Sequence, residues 1–343
     1  MHIPFCEKRC GYCAFNTFAD KADMVGLYVD ALALQLESEL GQMNGKILTS
    51  VYFGGGTPSL LGINDFEKIF KKITPHIDKN TEITIEANPS SWNKEKAKAV
   101  FGMGANRLSL GVQSLNDEKL SFLSRVHNSK KALEAYEHSI SAGFTNISVD
   151  FMYDTPFDDE AFIKKELDAF LSLDAAHISA YSLTIEEGTP FEKKGVQTRY
   201  DANAAQSVAE QIKQAGYEHY EVASFGRIRS RHNFGYWEYR PYIGVGAGAV
   251  GFDGERRTYP HTKIEEYIKN PLFADTEELS CDDIRAEKIL LGLRSAVGVD
   301  KSLLTHKGET VEMLIKNSLL DESENKIYCK DFFLADEIAA RLV

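Results

Sequence analysis

The sequence predicts an α/β fold: an incomplete (βα)6-type barrel with a small, mainly helical or winged domain after it. Three observations carry this expectation. Short apolar runs alternate with stretches of helical period about six times before residue 217, the pattern of parallel β/α units. Periodicity alone also allows a doubly wound sheet. The unusual residues, however, fall at the C-terminal ends of the expected strands, the rim on which barrel enzymes assemble their sites. The pattern then changes twice, near residue 217 and again near residue 276.

Met1–Ile3 reads as the end of a first strand. Ser50–Phe53, Glu82–Ala87, Arg107–Val112, Asn146–Met152 and His177–Leu183 read as the strands that follow. Helical patterns lie between them over Met24–Leu40, Asp65–Ile77, Asn93–Met103, Ser129–Ala142, Glu160–Leu171 and Ala202–Ala215. Asn64 with Glu67 reads as a capping box for the second helix. Gly143 and Gly216 read as helix stops. The expected division is a partial barrel over 1–216, an aromatic-, arginine- and glycine-rich extension over 217–275, and a C-terminal helical domain over 276–343.

Composition narrows the function. Hydrophobic residues make up 43%, and 39 basic against 51 acidic residues give a net charge of −12, a poor balance for binding a nucleic-acid backbone. No apolar run is long enough to span a membrane. No charged and apolar leader precedes Cys6, so no export signal is expected. Clustered thiols that must stay reduced fit the cytoplasm.

Those thiols are Cys6, Cys10 and Cys13, three of the five cysteines, at C-x3-C-x2-C spacing. Each can hold one iron of a [4Fe–4S] cube, which leaves the fourth iron free to bind the amino and carboxylate groups of S-adenosylmethionine (SAM). A zinc site would want a fourth ligand, His2 or something distant. A disulfide framework suits shorter secreted chains with an even cysteine count. Cys281 and Cys329 read as ordinary isolated cysteines.

Other residues gather on the same rim. Gly54-Gly55-Gly56-Thr57 lets a ligand approach the backbone, and its N–H and C=O groups suit an ammonium or a carboxylate; a tight strand–helix turn is the plainer reading. Glu86 ends a strand, where it can accept from a ribose diol or simply cap. Gln113 offers both a donor and an acceptor. Asp150 ends an apolar strand, where an unpaired charge is costly, so either a salt bridge to Arg125 or a shared site is expected. Gly246–Gly251 matches G-x-G-x-x-G, but the turn-like run Phe252–Pro260 follows it rather than a helix, so close backbone packing beside a flat ligand is expected over a dinucleotide site. His232-Asn233-Phe234-Gly235-Tyr236-Trp237 offers a ligand imidazole and flat aromatic faces, or a structural cluster. Around it, residues 227–257 hold six arginines against three acids. Such an excess suits carboxylates such as porphyrin propionates.

From His2-Ile3-Pro4-Phe5-Cys6 through Gly54–Ser59, Glu86–Pro89, Arg107–Ser114, Ser148–Tyr153, His177–Pro190, Ser230–Trp237, Tyr242–Gly251 and Leu290–Val299, the chain resembles the radical SAM superfamily, in its coproporphyrinogen-oxidase-like branch. The oxidases of that branch carry a fourth cysteine two residues after the third; Phe15 stands there here. Together with the His232–Trp237 run, this makes the chain similar to the branch's haem chaperones. The resemblance implies a [4Fe–4S] cluster on Cys6, Cys10 and Cys13. It implies SAM held by Tyr12 (adenine), Gly55, Gly56 and Thr57 (methionine end), Glu86 (ribose), Gln113, Arg125 and Asp150, and haem at His232. The partners it implies are haem-accepting proteins, including respiratory enzymes, met from the cytoplasm or at the inner face of the membrane. The alternative is a radical enzyme acting on a porphyrin. The family's SAM-contacting tyrosine, six residues before the first cysteine, falls just ahead of Met1.

Overall fold

The computed structural model describes residues 1–43, 45–199 and 203–343. Six strands run parallel in chain order: β1 (His2–Ile3), β2 (Ser50–Gly55), β3 (Glu82–Ala87), β4 (Arg107–Gln113), β5 (Asn146–Tyr153) and β6 (His177–Ser182), each hydrogen-bonded to the next. Between them lie α1 (Val25–Gly41), α2 (Ile63–Ile73), α3 (Lys94–Gly102), the short α4 (Asp117–Phe122), α5 (Ser129–Ala142) and α6 (Glu160–Leu171), followed by the single turn α7 (Pro190–Lys193) and α8 (Ala204–Gln214). The helix expected over Ala202–Ala215 is observed from Ala204; Ala202 lies outside the described residues.

Alternation along each strand sorts the side chains. Val51, Phe53, Ile83, Ile85, Leu108, Leu110, Ile147, Val149 and Ile178 are buried in one large core shared with the helices. Their neighbours face the barrel interior, which is polar: Tyr52, Thr84, Glu86, Arg107, Ser109, Ser148, Asp150, His177 and Ser179. Gly143 ends α5 at φ +112° and lets its amide return to the last turn, as expected. The start of α2 differs from the expected Asn64–Glu67 box. Gly62 is the N-cap and donates its N–H to the Asp65 carboxylate at 2.9 Å. The fully buried Leu61 anchors the preceding turn, so the helix begins before the expected position.

The main sheet continues past β6 into a hairpin absent from the sequence reading. β7 (Glu218–Glu221) and β8 (Ser224–Gly226) pair antiparallel, and β8 lies antiparallel on β6. The sheet order ends at β7 on one side and β1 on the other, so the barrel stays open. The free edge of β1 is covered by the 244–249 loop. His2 donates its backbone N–H to Val245 O at 2.8 Å. A Cβ on Gly246 (φ +114°) would sit 2.5 Å from His2 O and 2.7 Å from Tyr28 Oη. The glycine-rich run thus packs backbone on backbone against β1.

Beyond the hairpin come α9 (Arg231–Trp237), a three-stranded sheet of β9 (Gly251–Phe252), β10 (Arg256–Pro260) and β11 (Ala274–Glu278), and α10 (Ile264–Lys269). The C-terminal part has its own core of Ile289, Leu293, Leu314, Ile327, Ile338 and Leu342. It folds as α11 (Cys281–Leu293), α12 (Gly308–Lys316) and α13 (Ala335–Leu342) around the antiparallel sheet of β12 (Val299–Asp300), β14 (Lys326–Cys329) and β13 (Leu320–Glu322). This is the winged, mainly helical unit the sequence suggested.

Candidate functional site

The cysteine loop leaves β1 and is fastened at both ends. Cys6 donates its N–H to Phe18 O at 3.0 Å, and Phe18 donates to Pro4 O at 2.7 Å. Cys6, Cys10 and Cys13 are free and half-buried. Thr57 donates its hydroxyl to Cys6 Sγ at 3.6 Å, and Arg125 Nη1 donates to Cys10 Sγ at 3.4 Å. Burial pushes the Cys6 and Cys13 thiols up, opposed at Cys6 by the Thr57 bond and at Cys13 by a hydrogen bond from the Phe15 backbone. Among the described residues no three His, Cys, Asp or Glu side chains converge on one point that could hold a single metal ion. A cube spreads its thiolates over separate irons, so it does not require such convergence. The Phe15 ring is 69% exposed.

The glycine run lies directly beneath this loop. Gly54, Gly56 and Thr57 donate their N–H groups to Met1 O (3.0 Å), Ile3 O (2.9 Å) and Phe5 O (2.7 Å), and Gly55 donates to Glu86 Oε2 at 3.1 Å. A Cβ on Gly56 would sit 2.6 Å from Phe5 O and 2.9 Å from Ile3 O, and one on Gly55 (φ +113°) would strike the His2 ring. Sequence offered both the N–H and the C=O groups of this run to a ligand, with a tight turn as the plainer reading. The N–H groups are taken: those of Gly54, Gly56 and Thr57 hold β1 and the root of the cysteine loop to β2, and that of Gly55 holds Glu86. What the run can still offer is carbonyl oxygen, an acceptor suited to an ammonium.

Glu86 and Asp150 are neighbours inside the rim. Glu86 accepts from Tyr52 Oη at 2.7 Å through Oε1 and from Gly55 through Oε2; burial pushes its pKa up, and these two bonds pull it back. Asp150 is pushed up to about 7, by burial first and by the Glu86 charge next, against the pull of Arg125 and Arg107. Sequence left open whether Asp150 pairs with Arg125 or shares a site with it. No salt bridge joins them; the Arg125 guanidinium bonds Gly111 O at 2.8 Å as well as Cys10, and feels Asp150 only through space.

Gln113 carries the sharpest local signal, one the periodicity could not show. The register of β4 on β5 shifts between Leu110 and Gln113, and Gln113 takes φ +67°. Bulges of this kind re-aim side chains near sites. The Gln113 side chain is buried with Oε1 unpartnered, and Arg125 Nε is likewise buried without a partner. Buried polar atoms left open in this way call for a ligand or water. The turn after Gln113 is braced from below: Glu166 accepts from Ser114 Oγ and from Leu115 N at 3.0 Å. Glu166 and Asp158 in turn pair with the fully buried Lys119 at 2.8 and 2.7 Å. Tyr12 lies close enough to Arg125 for the two to feel each other's charge, and its ring centroid is 6.4 Å from that of Phe191.

His232 lies elsewhere, at the N-terminal end of β2. Its Nδ1 shares a hydrogen bond with Ser50 Oγ at 2.9 Å and its Nε2 one with Tyr236 Oη at 3.1 Å. Its ring stacks on Tyr52 at 4.7 Å and 18°. Burial holds the imidazole down to about 3, so it is neutral. Both ring nitrogens are engaged, so an iron contact requires one of these bonds to give way. Tyr236 and Tyr242 pack edge-to-face at 4.7 Å and help wall a cavity of about 330 Å³, closed by Tyr239, Phe252, Leu290 and Leu291. The arginine island is largely neutralised by acids outside its own stretch: Arg227 by Asp174, Arg229 by Glu218 (2.5 Å), Arg257 by Glu287 (2.5 Å). Arg240 and Arg256 pair with Glu238 and Asp253, and Arg231 bonds Asn80 O.

A family model described as the radical SAM superfamily matches residues 1–168. The chain is 32% identical to "Heme chaperone HemW" of Bacillus subtilis, over 94% of this chain and 90% of that one. This chain belongs to the HemW family. A second HemW relative, from Mycobacterium tuberculosis, is 32% identical over all of this chain and 94% of its own. The solved structure of the Escherichia coli coproporphyrinogen III oxidase, HemN, superposes with a TM-score of 0.85 over 99% of this chain and 88% of its own, at 20% identity. This chain and that oxidase thus share a fold, and the radical SAM fold expected from sequence is the fold of this chain.

Proposed function

We propose that this chain is a haem-binding chaperone that carries a [4Fe–4S] cluster and SAM and hands haem to haem-dependent proteins. The observation that carries the reading is kinship along almost the whole chain with proteins named heme chaperone. The aromatic cavity beside His232 gives a flat ligand somewhere to lie.

Cys6, Cys10 and Cys13 would hold the cluster, which supplies an open iron for the methionine end of SAM. The residues present fit these groups: the thiols are free, and two buried polar atoms on the rim await a partner. Glu86 would accept from the ribose hydroxyls, and Gln113, Arg125 and Asp150 would line the remainder. Tyr12 would lie against the adenine, and Gly55, Gly56 and Thr57 would meet the methionine end of SAM. Haem would enter from the α9 side, where His232 would exchange its bond to Tyr236 for iron.

Among the described residues no helix is long and apolar enough to cross a membrane. The reading places the work in the cytoplasm, with acceptors that include respiratory enzymes at the inner face of the membrane.

The test is haem titration of the wild type and of His232→Ala, followed by absorbance. The expected result is a displaced Soret band and a weakened affinity in the variant. An unchanged spectrum and affinity would remove His232 from the haem site. In parallel, anaerobic incubation with coproporphyrinogen III is expected to yield no protoporphyrinogen IX; conversion would favour the porphyrin-oxidising alternative.

A further inference from the structure

Tyr52 touches both ends of the barrel interior, and nothing in the sequence pattern distinguished it from other strand residues. Its hydroxyl donates to Glu86 Oε1 at 2.7 Å, and the other oxygen of that carboxylate accepts from Gly55 N–H at 3.1 Å. Its ring stacks on His232 at 4.7 Å with an interplanar angle of 18°. His232 continues the series, through Nε2, to Tyr236 Oη at 3.1 Å on the wall of the aromatic cavity. One rigid side chain therefore lies between the carboxylate proposed for the SAM ribose and the imidazole proposed for haem.

We propose that Tyr52 is a positioning residue shared by the two sites, so that SAM on the rim tightens haem binding at the far end of the barrel. The inference rests on the reading given under Proposed function.

The sign follows from the chemistry of Glu86. As a carboxylate it accepts from Tyr52 and keeps the tyrosine ring fixed on His232. As a neutral acid it becomes a donor itself and holds Tyr52 less well. Burial favours the neutral form, whereas two ribose hydroxyls donating to Glu86 favour the charged one. Occupied by SAM, Glu86 therefore holds Tyr52 against the imidazole, and less ordering remains for haem to impose.

The experiment uses the anaerobically reconstituted full chain. Haem affinity is measured from the Soret band with and without saturating SAM, and SAM affinity by equilibrium dialysis with and without haem. The expected coupling is about 5-fold or more, equal in the two directions because linkage is reciprocal. Tyr52→Phe keeps the ring on His232 and removes the hydroxyl; the expected coupling in it falls below about 2-fold, a change that loss of packing alone would not produce. Two ligands that bind the wild type without affecting one another would overturn the proposal. So would coupling that survives intact in Tyr52→Phe. Absence of haem binding in the wild type would overturn the haem reading itself, an outcome distinct from both.

Discussion

Gly56→Ala isolates what the glycine run does. Gly56 is not in the left-handed region, so alanine imposes no backbone strain there; the penalty is contact alone. Its Cβ would lie 2.6 Å from Phe5 O and 2.9 Å from Ile3 O, both main-chain atoms at the root of the cysteine loop. Main chain cannot swing aside as a flexible side chain can, so β1 and the loop must move together. Overpacking of this kind costs ~1–3 kcal/mol. Movement also stretches two hydrogen bonds, Gly56 N–H to Ile3 O at 2.9 Å and Thr57 N–H to Phe5 O at 2.7 Å, each contributing ~0.5–1.5 kcal/mol net. The expected loss is therefore ~2–6 kcal/mol, concentrated where three thiols must hold fixed spacings. Denaturant unfolding measures the stability, and iron content after anaerobic reconstitution measures the loop. The variant is expected to unfold at lower denaturant and to take up clearly less iron per chain. A Gly56→Ala protein that matches the wild type in both would refute the argument that these glycines exist for the contact between β2 and the loop.

Three further outcomes follow from charged side chains, two of them buried and one at the surface. Lys119→Met leaves Asp158 and Glu166 facing each other with no cation, in a pocket where all three are buried; the expected destabilisation is ~3–5 kcal/mol, read by denaturant unfolding, and a smaller loss in Lys119→Met with Glu166→Gln would trace it to the stranded acids. Asp150 is held near 7 in the folded chain against about 3.9 unfolded. Between those values the native state keeps a proton that the unfolded state has lost, so stability of the ligand-free protein falls as pH rises from about 4 towards 7. Asp150→Asn is expected to flatten that part of the stability–pH curve, and an unchanged slope would reject the assignment. Arg229 is already paired with Glu218 at the surface and lies over Phe234. Arg229→Ala is therefore expected to cost ~0–1 kcal/mol of stability and to leave the salt dependence of haem affinity as it was; a steeper or shallower dependence would show that the guanidinium meets haem after all.

The fold was legible because its strands are buried on the helix-facing side and bounded by turn residues. Glu82–Ala87 is observed with the limits read from sequence, and the other central strands differ by one or two residues. The β7–β8 hairpin was not legible. Its strands are four and three residues long, and β7 itself reads Glu-His-Tyr-Glu, too short and too polar for an apolar alternation to stand out. The expected capping box at Asn64 had the right residue types, but the burial of Leu61, a tertiary effect, fixed an earlier start.

The site divides along the same line. Placement was legible where it depends on the strand alone: the cysteines, the glycines, Glu86 and Gln113 lie at or just beyond the C-terminal ends of their strands, whereas Asp150 sits in the middle of β5 rather than at its end. Contacts with distant segments were not legible. Tyr52 is one strand position among many until α9, some 180 residues later, lays His232 on its ring. The arginine island looked positive because its acids, Asp174, Glu218 and Glu287, lie outside the stretch in which the charges were counted. The partners of the glycine N–H groups were not legible, because they belong to β1, the root of the cysteine loop and Glu86 on β3. A local motif names the chemistry that could occur at a rim. Which of its groups remain free for a ligand depends on what packs beside it, and here the glycine amides are taken while Gln113 Oε1 and Arg125 Nε stay open.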